Sequence, residues 1–245
     1  MIITISQNSI TSINATVENE NNDIDKVIAV VFGQDFYRIV GESVYANNNF
    51  NLDLSPNLAL ILLYPLCDGF PEWVTLSSKT VLANNLNIAG FHSIHHIGYF
   101  SQIIEKISDT NTSSSYLYAE ALYIYVNEKV VIKGYNTEEG TDVIDGLLYE
   151  TEINRTYNLN LSQGWNVIFF KEEDCANFAE KKIVYSLSMT DIDPGGLKWH
   201  FENLEIENLS PKSLSKRNDL LFDRFNMFPN LSKNRMNFKS FLIHQ

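Results

Sequence analysis

TYNLNLSQGWNVIFF, residues 156–170, alternates apolar and polar side chains on both sides of one glycine. Tyr157, Leu159 and Leu161 share a face, and Thr156, Asn158 and Asn160 share the other. A period of two residues is the signature of a half-buried strand. Ser162-Gln163-Gly164 reads as a turn, with glycine free to take the left-handed position that a short loop requires. Trp165, Val167 and Phe169 then resume the apolar face. The stretch predicts a β-hairpin with Trp165 in the core.

The same period recurs outward in both directions. ALYIYVNEKVVIKGY, 121–135, reads as a second hairpin turning at Asn127-Glu128. Leu122, Ile124 and Val126 face one way, Tyr123 and Tyr125 the other. KVIAVVF, 26–32, is apolar on both faces, as in a strand covered on two sides. NFNLDL, 49–54, alternates after Asn47-Asn48, residues that tolerate positive φ, so 36–54 reads as a third hairpin. IVYSLSMT, 183–190, alternates again, TNTSSS, 110–115, is a polar loop, and DPGG, 193–196, is a turn. YFSQIIEKI, 99–107, fits a strand or a short helix. LALILLYPLCDGFPEWV, with two prolines and a glycine, reads as a connection, which places a boundary near 66–73.

The predicted class is all-β, an antiparallel sandwich of one or two subdomains. The expected divisions are an N-terminal β portion over 1–66, a second over 73–208, and a basic extension over 209–245. The extension is expected to hold at most one short helix, near 215–228.

The 245 residues carry a net charge of −12, and 44% of them are hydrophobic, enough for a core. Residues 211–245 hold seven Lys/Arg and two Asp/Glu, a net of +5. The first 210 hold eleven and twenty-eight, a net of −17. An acidic body is a poor partner for nucleic acid. LALILLYPL, 58–66, is too short for a membrane helix, and MIITISQNSI lacks the basic and apolar regions of a signal peptide. Cys67 and Cys175 have no CxxC spacing; they form one disulfide in an oxidising compartment or stand as free thiols.

Three groups of residues bear on chemistry. In FHSIHH, 91–96, a continuous strand would put His92 and His96 about 13 Å apart, too far to chelate one ion, with His95 on the opposite face. The acidic stretches at Asp23/Asp25, at Glu138-Glu139 with Asp142 and Asp145, and at Asp191/Asp193 complete no calcium loop, and TEEGTDVIDG has the wrong spacing. No metal or cofactor is therefore expected. Tyr123 and Tyr125 are the candidate ligand-binding residues, if their rings lie on an open sheet face where they can stack on a sugar or anchor a protein. Trp165 and Trp199 are assigned to the core. The chain has no GxSxG, HExxH, P-loop or GxGxxG motif.

An ordered set of segments resembles a family of exported, all-β lipoproteins of unknown function from gut Bacteroidota. The segments are NATVENENNDIDKVIAVV, YANNNFNLDL, FPEWVTLSSKTVLANNLNIAGF, YAEALYIYVNEKVVIKG, YNLNLSQGWNVIFF and GGLKWHFE. The resemblance spans about residues 2–205. It implies a cell-envelope or extracellular location and a protein that binds a glycan, a peptide or a surface protein without catalysis. The alternatives are a glycan-active hydrolase on a β scaffold, which needs converging carboxylates, and a structural subunit that assembles by strand addition, which needs an exposed sheet edge.

Overall fold

The computed structural model of the chain describes residues 9–19, 21, 23–33, 36–144 and 146–204. The expected helix near 215–228 and the rest of the basic extension lie outside the described residues. Among the described residues fifteen strands follow one another: β1 (Ser12–Thr16), β2 (Lys26–Phe32), β3 (Tyr37–Val44), β4 (Asn49–Asp53), β5 (Tyr64–Pro65), β6 (Thr75–Leu76), β7 (Leu82–Asn85), β8 (Asn87–His92), β9 (His95–Asp109), β10 (Ser113–Val126), β11 (Val130–Ile144), β12 (Leu147–Leu161), β13 (Gly164–Asn177), β14 (Lys182–Thr190) and β15 (Lys198–Asn203). Two short 3-10 turns, Leu60–Leu62 and Leu66–Gly69, are the only helical pieces among the described residues. The all-β reading holds, and 99–107 is strand throughout.

β1 and β4 form a two-stranded sheet. The other strands form one sheet in the order β3-β2-β8-β9-β10-β13-β14-β12-β11-β6, with β15 on β9 and β7 joining β5 to β10. The sheet is mixed rather than purely antiparallel, because β12 and β14 run parallel. It also curls onto itself. Three strands separate β10 from β11. Yet Ile124 and Val126 of β10 pack in the same cluster as Val130 and Ile132 of β11 and Leu159 and Leu161 of β12. A sheet whose distant strands share one core has folded into two layers.

That curl corrects both principal hairpins. The segments 121–135 and 156–170 do contain strand, turn, strand, but the flanking strands do not pair. β10 pairs with β9, β13 and β7, and β11 with β12 and β6. β14 is inserted between β12 and β13. Each turn is an arch that carries the chain from one layer to the other. The reason lies in where the turn's polar groups go. Asn127 N–H donates to the Leu82 carbonyl at 3.0 Å, and Leu82 N–H donates to Asn127 Oδ1 at 2.8 Å. Glu128 accepts from Ser78 Oγ at 3.1 Å and Thr80 Oγ1 at 2.9 Å. These bonds tie the first arch to the 78–82 segment.

The second arch is closed by a buried side chain. Asn166 Oδ1 accepts the Ser162 N–H at 2.9 Å, and Asn166 Nδ2 donates to the Ser162 carbonyl at 2.8 Å and the Gly164 carbonyl at 2.9 Å. Gly164 has φ of +101°, which explains glycine there. The third expected hairpin keeps its turn, where Ala46 and Asn49 exchange backbone bonds of 3.1 and 2.9 Å, but its strands part beyond it. Asn47 and Asn48 do take positive φ, but β4 leaves β3 and pairs with β1. β3 pairs with β2 instead.

Trp165, first residue after the glycine, is 1% exposed and belongs to the core between the small sheet and the main one. Its indole N–H donates to the Ser55 carbonyl at 2.8 Å, and its carbonyl accepts the Ile10 N–H at 2.9 Å. Trp199 lies in the same core. That core joins residues on both sides of the 66–73 connection, and β2 pairs with β8 across it. The connection therefore does not separate two cores. β2 is buried on both faces, as its sequence predicts.

Candidate functional site

Tyr123 and Tyr125 are not on an open face. Tyr125 is 4% exposed, edge-on to Trp165 with ring centres 5.3 Å apart. Tyr123 is half-buried and stacks on Trp199 at 6.0 Å, with its hydroxyl donating to Gln102 Oε1 at 3.0 Å. Burial raises its phenol pKa, and Asp193 adds to the shift. Both rings spend their faces on core packing.

The histidines flank a two-residue turn. His92 and His95 are direct cross-strand partners on β8 and β9, so the backbone does not run as one strand through 91–96 but turns at Ser93-Ile94. His96 is held by a 2.9 Å bond between its Nε2 and the Gly98 carbonyl, and burial lowers its pKa. Among the described residues no group of His, Cys, Asp and Glu can hold a metal ion. Cys67 and Cys175 are free thiols, the first half-buried and the second exposed.

Two features that sequence patterning missed stand out. The first is on the inner face of the curled sheet. Cross-strand registers set two rows side by side. One runs Glu105, Tyr118, Glu172, Leu187, Arg155, Asn136, and the next runs Ile107, Tyr116, Asp174, Tyr185, Ile153, Glu138. These rows lie between the large inner core and a small apolar cluster of Tyr149, Ala176 and Ile183. Arg155 bridges Glu138 at 2.7 Å. Asp174 is 5% exposed, and its Oδ1 has no hydrogen-bond partner among the described residues. Burial, and then the charge of Glu172, push the Asp174 pKa up to about 7. Burial also raises Glu172. The Tyr116 phenol rises to about 12, through burial first and then Glu105, Glu172 and Asp174. This belt brings Asp174 to its titration midpoint near neutral pH and disfavours any further negative charge.

The second feature is an edge. β11 pairs with β12 along all fifteen of its residues, but with β6 only at Ile132 and Lys133. Ser77 N–H donates to the Val131 carbonyl at 2.9 Å, and Val131 N–H donates to Ser77 Oγ at 2.9 Å. The backbone of Val131 therefore points away from β12. By the two-residue period, the N–H and C=O groups of Tyr135, Thr137, Glu139 and Thr141 point outward too. Among the described residues no strand covers them. At the far end Val143 N–H is capped by Asp142 Oδ1 at 2.8 Å.

The signal for this edge was present in the sequence. In the sequence, Asp-Gly at 145–146 is a strong signal for a two-residue hairpin turn. Gly146 has φ of +78°, and Ile144 pairs with Leu147. Residues 137–144 of the stretch weighed as a calcium loop are thus part of β11, the outer strand of a long hairpin. Its surface is one-signed: residues 134–154 contain six carboxylates and no Lys or Arg. The side chains of Glu139, Asp142 and Glu150 are exposed.

No helix among the described residues is long and apolar enough to cross a membrane. No protein-family model, curated protein or solved structure matches the chain.

Proposed function

We propose that the protein is a non-catalytic interaction protein of the cell envelope, and that it takes up an extended segment of a partner polypeptide by strand addition to β11. The observation that carries this reading is the outward-facing row of N–H and C=O groups at Tyr135, Thr137, Glu139 and Thr141. An unpaired row of this kind is a template for one more strand, in which main-chain bonds supply affinity. The envelope location rests on the resemblance of residues 2–205 to exported lipoproteins. Burial of Tyr123 and Tyr125 moves the ligand from a glycan toward a polypeptide.

The test removes two of the four outward N–H donors, together with the Thr137 hydroxyl bonds to Tyr135 and Asn154, which Thr137→Val removes alone as the control. Proline is tolerated in an edge strand where its missing N–H faced solvent. Thr137→Pro with Thr141→Pro leaves the β11–β12 ladder intact. Binding of a fluorescent β-prone peptide about ten residues long, the span of the open edge at ~3.3 Å per residue, is read by anisotropy. The double variant should bind roughly tenfold or more weakly, from two lost bonds of ~0.5–1.5 kcal/mol each and the disturbed neighbours. Unchanged affinity would remove β11 as the docking edge.

A second reading, glycan hydrolysis, has one observation in its favour. Glu172 and Asp174 are two residues apart on one face, about 6–7 Å along the strand, and both have raised pKa values. Release of reducing sugar from a polysaccharide panel, abolished by Glu172→Gln, would establish it. Equal release by wild type and variant would exclude these carboxylates.

A further inference from the structure

We infer that the segment received by β11 is basic, an extended strand carrying Lys or Arg at alternate positions. The inference rests on the strand-addition reading and adds the chemistry of the partner. An incoming strand places its side chains beside Tyr135, Thr137, Glu139 and Thr141 on the outer face, and beside Asn136, Glu138, Gly140 and Asp142 on the inner one.

The outer face is acidic well beyond β11. Thr141 lies opposite Glu150, and Glu139 opposite Glu152. Among the described residues one cation is ion-paired to that group: Lys182 Nζ sits 2.8 Å from Glu152 Oε2. Its pKa is raised by Glu152 first, then by Glu150 and Glu139. A lysine influenced by three carboxylates leaves net negative charge for a partner to meet. On the inner face Arg155 neutralises Glu138, and Asp142 stays exposed beside the open edge.

The same charges argue against a second copy of this chain as the occupant. An antiparallel pairing of two β11 edges about Gly140 would set Glu138 of each against Asp142 of the other, since the two lie equally far from the centre. Like charges directly opposite are destabilising, and charged edge strands are a means of blocking self-association. A basic strand reverses the sign of every one of those contacts. Tyr135, 66% exposed at the start of the open edge, offers its ring as a platform for a cationic side chain.

The experiment uses the full chain and three labelled peptides of about ten residues, alternating Val/Thr with Lys, Gln or Glu. Affinity is measured by anisotropy at low and at physiological salt. The Lys peptide should bind about tenfold more tightly than the Gln peptide at low salt, the Glu peptide least tightly, and salt should narrow the gap. Glu139→Gln with Asp142→Asn, both exposed positions, should shrink the ratio of Lys-peptide to Gln-peptide affinity toward one.

Equal affinity of the Lys and Gln peptides for wild type overturns the basic partner and leaves strand addition standing. Loss of neither peptide in the Thr137→Pro/Thr141→Pro variant overturns strand addition itself. Slow hydrogen exchange at the Thr137, Glu139 and Thr141 amides of the unliganded full chain overturns the external partner. It would show that this chain already covers its own edge.

Discussion

Asp174→Asn should stabilise the protein at pH 8 and do little at pH 4. The side chain is 5% exposed and its Oδ1 lacks a partner among the described residues. Burial is the larger cause of its raised pKa and Glu172 the smaller. The pKa moves from 3.8 to about 7, roughly three units. At about 1.4 kcal/mol per unit, ionising Asp174 costs the fold up to about 4 kcal/mol. Relaxation and water entry reduce that figure, so about 2 kcal/mol is a reasonable expectation.

The sign follows from proton uptake. Between pH 4 and 7 the folded protein holds a proton that the unfolded chain has lost, so this group makes stability fall as pH rises. The effect is absent below about 4 and complete above about 7. Asparagine has the same shape and no charge, and its Nδ2 can donate toward Glu172. Urea unfolding of both proteins at several pH values gives the free-energy difference directly. It should open between pH 4 and 7 in favour of the variant, then level off. Parallel curves for wild type and variant over that range would refute the assignment of a buried, proton-holding Asp174.

Trp165→Ala should cost about 3–5 kcal/mol, because it empties a fully buried site and orphans the Ser55 carbonyl; a loss of unfolding free energy in urea below that range would show that the two sheets repack over the gap. Asn166→Ala should cost about 1–3 kcal/mol by releasing the Ser162 and Gly164 backbone groups, and the loss should exceed that of an exposed control such as Asn158→Ala, measured the same way.

The contrast between the two arches and the long hairpin shows what the sequence carried and what it did not. Period-two patterning located the strands of 121–135 and 156–170 and assigned Trp165 to the core. Alternation reports which face a residue occupies, not which strand lies beside it. A short turn between alternating runs therefore reads the same whether its strands pair or pass to opposite layers. The difference lay in Asn127, Glu128 and Asn166, whose partners at 78–82 and within the turn depend on the fold. The DG turn at 145–146 was locally decisive, and reading TEEGTDVIDG for calcium spacing hid it. The carboxylate belt was not legible at all. Glu105, Tyr116 and Asp174 come from three strands, and only the registers of β9, β10 and β13 bring them together.

Amide hydrogen exchange along β11, followed by NMR with and without the Lys peptide, tests strand addition most directly. In the free protein the inward amides of Asn136, Glu138 and Gly140 should exchange slowly and the outward amides of Thr137, Glu139 and Thr141 fast. The peptide should slow the outward set and leave the inward set as it was. Protection that appears on other strands, or no change in the outward amides at saturating peptide, would contradict the account.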